Sequence, residues 1–359
     1  ARGQPYIRHC PLGTLLGLMA AGENAKTLAD TFKGPRRVLL VTDIGRDVDD
    51  TLALLTINAL RQAGDLDLVG VIATGGAGET RARVVRGWLR RFGLSDSIVP
   101  VAACRAPGRP ECAVPEATPG PGEAALYEGS AEDLLVELAQ IYAGSLEIMA
   151  IAPLSSIAAT IRSDRGLQIV RQGVRALYIQ GQCELQEGRL KPDFASFNLD
   201  EDREASEIVC MKLQDHMPFH FLGKHAAYQV SLLRSDFAAW DAMLGSEEMT
   251  RHAKDNLDVF RRGSPDKFYA IYPIPEGYRN DSEWFEHMTE FSHPYDPLLV
   301  LSAFHADLFG QVASSAPDGP QEHTTIGNTP ASPGVPDPQA VRKAICKLIG
   351  EGVQGLIHA

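Results

Sequence analysis

From Arg36 onward, short apolar runs that end in polar clusters alternate with helical patterns, and this alternation restricts the fold more than any other feature of the chain. RRVLLVTD (36–43) reads as a strand buried on both faces, and TLALLTINALRQAG (51–64) reads as the helix after it. LDLVGVIAT (66–74) and ETRARVVRGWLRRFG (79–93) repeat the pair, and SIVPVAA (97–103) supplies a third strand. The pattern resumes with a helix over 132–142, a strand over 146–152, a helix over 154–162 and a strand over 174–181. It ends with a helix over 203–213 and a strand over 217–223. Parallel neighbours need crossover helices that cover both sheet faces. The prediction is an α/β fold: a doubly wound, mostly parallel open sheet at least six strands wide, with a late helical insertion over 231–280.

Around this core, residues 1–35 form an N-terminal extension, 36–310 the α/β domain, and 311–359 a flexible Pro-rich tail with a short terminal helix over 338–348. Of the 359 residues, 46 are acidic and 34 are Lys or Arg, a formal charge of −12. Nucleic-acid backbones call for clustered cations, so no nucleic-acid partner is expected. The longest apolar stretch, Pro11–Gly22, is too short to span a bilayer, so no membrane partner is expected either. Arg2 and Arg8 ahead of that stretch leave organelle targeting open, and a cytoplasmic location is the default. Six scattered cysteines contain no CxxC pair, which argues against a disulfide scaffold or structural zinc.

In open α/β sheets, ligands gather beyond the carboxyl ends of the strands. The first strand ends in Asp43-Ile-Gly45-Arg-Asp47-Val-Asp49-Asp50, four carboxylates within eight residues. Like charges this close raise one another's pKa, and a divalent cation is the simplest neutraliser. Oxygen ligands without Cys or His select Ca²⁺ or Mg²⁺ over zinc. The EF-hand spacing, with its mid-loop Gly and terminal Glu, is absent. The plain competing reading is a helix N-terminus decorated with acids that favour its dipole.

The segment VTDIGRDVDDTLAL (41–54) resembles the N-terminal signature of the nucleoside hydrolases, the inosine-uridine-preferring N-ribohydrolase family, in the variant with two extra residues before the DD pair. APLSSI (152–157) is similar to that family's GPLTNIA turn. FASFN (194–198), with Asp202 and Glu204, resembles AEFN…DPEAA, and YDPL (295–298) resembles HDPL. The likeness runs from about Arg36 to Phe309. It implies Ca²⁺ held by Asp43, Asp50, Asp296 and the main-chain carbonyl of Ser155. It further implies a ribose gripped by Asp49 and Asn198, and hydrolysis of an N-glycosidic bond in a nucleoside or related N-riboside, with Asp43 as general base. Family members are commonly homo-oligomers. Departures are as plain. Val41 replaces an acid, Ala77 replaces a sugar-binding Asn, Ser196 replaces a Glu in the sugar-facing stretch, and Tyr295 replaces the His that protonates the leaving purine in some members. Metal binding reads as intact while the sugar and base contacts are rewritten.

Two residues are candidates for the missing acid. Tyr295 is a phenol whose ordinary pKa near ~10 must be strongly perturbed for that role, and His293 also has a plain capping or solvent-facing reading. Trp284 and Phe285, with His287, offer either a base-stacking flap or ordinary core. Lys224 and His225 follow a strand end and read as structural. Arg46 relieves charge beside Asp47, and neither Cys104 nor Cys183 has a partner base. Gly75-Gly76-Ala77-Gly78 fails the dinucleotide spacing. The alternatives are a non-catalytic relative that binds metal and sugar and, less favoured, a phosphatase using Asp43 as nucleophile. The second acid that such phosphatases carry is Gly45 here.

Overall fold

β1 (Arg36–Thr42) shows why the apolar runs become central strands: Val38 and Leu40 enter one core, Leu39 and Val41 the other, and none of the four has measurable exposure. The computed structural model describes residues 34–45, 47–95, 97–105, 125–277, 281–313 and 321–357, and residues 36–359 form one compact unit. Residues 1–33 of the N-terminal extension, Arg46 and most of the 104–123 loop lie outside the described residues.

Strands follow as β2 (Leu66–Ala73), β3 (Val101–Ala103), β4 (Leu146–Ala150), β5 (Val174–Gln180), β6 (Gln182–Gln186), β7 (Arg189–Asp193) and β8 (Phe219–Leu222). Four short ones come later: β9 (Leu232–Leu233), β10 (Glu290–Ser292), β11 (Val312–Ala313) and β12 (Thr324–Ile326). Eight of them form one sheet in the order β11-β12-β8-β5-β4-β1-β2-β3, parallel except for the β11–β12 pair. β6–β7 and β9–β10 are separate antiparallel pairs. The chain winds outward from β1 to β3, then returns to β4 on the other side of β1. That reversal opens a crevice at the carboxyl ends of β1 and β4.

The described helices begin with α1 (Val48–Ala63), α2 (Gly78–Arg91), α3 (Ala131–Ile141), α4 (Ser155–Arg162) and α5 (Asp164–Gly173). α6 (Phe197–Glu201), α7 (Arg203–Leu213) and α8 (Lys224–Ala227) follow. α9 (Arg234–Leu244), α10 (Glu248–Gly263) and α11 (Pro265–Ile271) make up the late helical insertion. The chain closes with α12 (Asp281–His287), α13 (Tyr295–Phe304) and α14 (Pro338–Ile357). α1, α2 and α13 pack on one sheet face, and α3, α4, α5 and α7 on the other. α1 stops where Gly64 adopts φ 83°, letting its N–H and that of Asp65 bond back to Arg61 and Leu60. Trp284 and Phe285 are core, with Phe268 of α11 between 5.9 and 6.4 Å from their ring centroids. No described helix is long and apolar enough to cross a membrane.

The flexible tail is corrected by the structure. Thr324–Ile326 adds to the sheet beside β8, and α14 runs for 20 residues rather than stopping at Leu348. Val341, Ile345, Ile349 and Val353, spaced four apart, are fully buried. Pro and Gly density misled because those residues form turns between elements here; Gly334, for one, accepts from Gly310 N–H at 3.0 Å. α14 reaches α1 at its glycines: a Cβ on Gly352 would lie 2.1 Å from the Leu55 carbonyl oxygen, and Asn58 Nδ2 donates to the Gly352 carbonyl at 3.2 Å. Gly352→Val therefore forces two helix backbones apart and should destabilise the domain by ~1–3 kcal/mol, read as a lower urea midpoint. An unchanged midpoint would mean that α14 is not part of the cooperative unit.

Candidate active site

The crevice between β1 and β4 collects its polar groups from five separate stretches of chain. β1 delivers Asp43, the first turn of α1 delivers Asp49 and Asp50, and the first turn of α13 delivers Asp296. β4 leads to Ser155 at the start of α4, and the hairpin β6–β7 leads to Ser196 and Asn198. Carboxylate oxygens of Asp49, Asp50 and Asp296 all lie within 4.8 Å of one another, and each residue is under a tenth exposed. Asp43 does not join that triad of oxygens. Its charge nevertheless acts on all three, and its side chain is equally buried.

Burial is the first cause pushing all three carboxyls well above the usual carboxylate range. After it come Asp47 and Asp43 for Asp49, Asp43 and Asp49 for Asp50, and Asp49, Asp50 and Asp43 for Asp296. The Thr42 hydroxyl, which donates to Asp50 Oδ1, and Arg81 offset only part of this. Two unit charges ~4 Å apart repel by ~4 kcal/mol at an effective dielectric near 20, whereas a helix N-terminus returns ~0.3–1 kcal/mol. Helix capping therefore does not account for the cluster, and Asp47, the α1 N-cap, makes no side-chain cap bond. Three buried, converging, all-oxygen donors fit a hard divalent cation.

A residue that sequence reasoning passed over organises this corner. Arg81 sits in α2 with no exposed surface, and its guanidinium donates to the main-chain carbonyls of Asp43, Ile44 at 2.8 Å, Gly76 at 3.0 Å and Gly75 at 3.4 Å. It thereby ties the β1–α1 loop to the β2–α2 loop. Gly75, at φ 77°, lies so close that a Cβ would come 2.7 Å from Asp43 Cβ. Gly76 and Ala77 continue in the left-handed region at φ 72° and 46°. Within RARVVR nothing separates the buried Arg81 and Arg86 from the partly exposed Arg83; only the folded structure does.

Several predicted sugar contacts are engaged elsewhere. Asn198 Nδ2 spends both protons, on the Ile151 carbonyl at 3.1 Å and Gln180 Oε1 at 2.9 Å, so its donor is a clamp on β4 and β5 rather than a free sugar contact. Ser196 Oγ accepts from Gln182 N–H at 2.8 Å, and the Ser155 hydroxyl donates to Asp202 at 2.6 Å. Ala77 opens α2 with no side chain to offer. Lys224 donates to the Ala195 carbonyl at 3.2 Å, across 29 residues, and His287 Nδ1 meets the Glu283 carbonyl at 2.8 Å within its own helix. Burial pushes the Cys183 thiol up, so it is not an activated thiolate, and Cys104 is buried.

His293 and Tyr295 belong to an aromatic cluster with two residues that the sequence reading missed, Tyr228 and Tyr272. His293 stacks on Tyr272 at 5.3 Å and 19° and meets Tyr228 edge-on at 5.3 Å, while Tyr295 lies 6.1 Å from Tyr228. Burial lowers His293 to about 4, with the Ala227 carbonyl pulling weakly the other way, and neither ring nitrogen makes a hydrogen bond of normal geometry. Burial, then Tyr228 and Tyr272, push the Tyr295 phenol well above its ordinary value. At neutral pH both side chains are uncharged, and neither is tuned to give up a proton.

Residues 38–342 match the family model for the inosine-uridine preferring nucleoside hydrolases. The chain belongs to that family. Its fold is shared with a type III effector protein, XopQ, whose structure was solved in complex with adenosine diphosphate ribose; identity is 20%, TM-score 0.73, covering 89% of this chain and 95% of that one. A purine-preferring ribonucleoside hydrolase from Gardnerella vaginalis is similar at 15% identity and TM-score 0.62, with 89% and 99% covered. The inosine-uridine preferring nucleoside hydrolase of Bacillus anthracis is similar at 16% identity and TM-score 0.56, with 88% and 99% covered. No curated protein matches the chain.

The carboxylate cluster has a consequence for stability. Its acids hold protons more tightly folded than unfolded, so without a cation the folded state loses stability as pH rises from the ordinary carboxylate range through the raised values. A bound divalent cation removes that penalty. Adding Ca²⁺ should therefore raise the Tm more at pH 8 than at pH 5. Equal shifts at both pH values would place the cation elsewhere.

Proposed function

We propose that this nucleoside hydrolase family member cleaves the N-glycosidic bond of a ribonucleoside or related N-riboside, releasing base and sugar, with Ca²⁺ as its metal. The observation that carries the reading is the buried triad Asp49, Asp50 and Asp296 at the point where the sheet reverses its winding. Asp50 and Asp296 would hold the ion, with the Ser155 main-chain carbonyl beside them. Ca²⁺, when bound, supplies an oxygen-seeking Lewis acid for a ribose diol and a water. Asp43, pinned through its main chain by Arg81, would take the proton of the attacking water. Asp49 would accept from a ribose hydroxyl. The surrounding apolar core excludes bulk water, which strengthens each of these contacts.

A second reading has support of its own. Ala77 offers no amide, Asn198 has spent its donors, and the aromatic cluster holds no charged acid at neutral pH. These features suit a metal- and ribose-binding protein that turns over slowly or not at all, and the ribosyl ligand named for the XopQ complex is consistent with it. Asp50→Asn separates the two. On the hydrolase reading it should lower kcat at least ~100-fold, about 2.7 kcal/mol in the barrier, while leaving the circular dichroism unchanged, and chelator should inactivate the native protein. Bound calcium with no sugar released from any N-riboside would favour the binding protein.

A further inference from the structure

The aromatic cluster beside the carboxylates has a composition that bears on what leaves the sugar. Tyr228, Tyr272, His293 and Tyr295 present four adjoining rings, with His293 and Tyr295 separated by 6.2 Å. They border the acidic cluster: Tyr295 directly precedes Asp296 of the triad on the first turn of α13, and Glu290, Asp47 and Asp49 act on Tyr272. His293 is only 7% exposed, and beyond the Ala227 carbonyl, whose contact falls outside normal hydrogen-bond geometry, nothing among the described residues meets its ring nitrogens. A buried polar group is not left orphaned without cost, and the natural partner here is a ligand. The cluster is thus a group of adjoining aromatic rings in a field set by acids.

We propose that the substrate is a cationic heteroaromatic N-riboside of the pyridinium type, rather than a neutral purine or pyrimidine nucleoside. The assignment rests on the hydrolase reading and narrows it. A ring cation over Tyr or imidazole faces gains cation–π attraction, which strengthens when water is excluded. The neutral imidazole of His293 offers one donor and one acceptor to a polar substituent on that ring. The chemistry agrees. When the C1′–N bond of a neutral nucleoside breaks, its electron pair stays on the base, which must be protonated to leave easily. When the C1′–N bond of a pyridinium riboside breaks, the same pair cancels the ring's positive charge and a neutral pyridine departs. Water supplies the new C1′–O bond and gives one proton to Asp43, so no leaving-group acid is required. The nearby imidazoles, His225 beside Tyr228 and His252 towards Asp47, are also pushed towards the neutral form by burial.

The test uses the full chain loaded with Ca²⁺ and two probes of nearly the same shape, nicotinamide riboside and its uncharged 1,4-dihydro form, with inosine and uridine as further substrates. Calorimetry should show the cationic riboside bound at least ~10-fold more tightly than the dihydro form. Released ribose should give a kcat/KM at least ~100-fold above that for inosine or uridine. Tyr272→Leu should abolish the binding preference, and Tyr272→Phe, which keeps the π face, should retain it. Cleavage of inosine or uridine as fast as the pyridinium riboside overturns the substrate class and leaves the hydrolase intact. Preferred binding of the cation without release of any sugar upholds the cluster's selectivity and overturns the hydrolase. Equal binding of both probes overturns the proposal outright.

Discussion

Everything in the site depends on the enforced proximity of like charges. Asp49 and Asp50 arrive on the first turn of α1, and Asp296 arrives on the first turn of α13, nearly 250 residues later. The two helices pack against each other on one face of the sheet, so their N-termini converge and neither can withdraw its acids. Repulsion is then a property of the scaffold. The fold holds it because the apolar faces of α1 and α13 bury far more than the carboxylates resist; each fully buried Leu or Val contributes ~1.5–3 kcal/mol. The strain is stored where a divalent cation can relieve it.

Arg81 carries the complementary constraint. Its planar fork reaches several carbonyls of two loops at once, a task that an ammonium group, acting as a point donor, does not perform. With its guanidinium bound to main chain rather than to the carboxylates alone, it fixes where Asp43 begins without neutralising the cluster. The corner it braces contains three successive left-handed residues, one of them Ala77, where a side chain costs ~1–2 kcal/mol relative to the right-handed region. That cost is borne at the position where relatives place a sugar-binding amide.

On the proposed function, the metal and leaving-group sides of the site diverge in character. The metal side is acidic and assembled from the first turns of α1 and α13. The leaving-group side is aromatic and built from the ends of β10, α8 and the helical insertion, together with Tyr295 at the start of α13. Changes in the first three of these segments would then alter what departs from the sugar while leaving the ion's donors in place. A single scaffold can in this way change substrate class without losing its fold.

The doubly wound sheet, its six central strands and the acidic strand end were legible in the sequence, because periodicity and local charge are properties of neighbouring residues. The same local rules misread residues 321–337 as a disordered linker and stopped the terminal helix at Leu348, short of its end at Ile357. Pro and Gly looked like disorder until Thr324–Ile326 found β8, and Val341, Ile345, Ile349 and Val353 found α1. Asn198, Ser196 and Ser155 carried the right residue types, yet their hydrogen-bond partners are set by segments distant in sequence. Tyr228, Tyr272 and Arg81 gave no local signal at all. Fold class, family and the acids that crowd one strand end all follow from the local order of residues. Which oxygens converge, how the buried polar groups are partnered and which rings gather beside Asp296 depend instead on packing between distant segments, which no local pattern encodes.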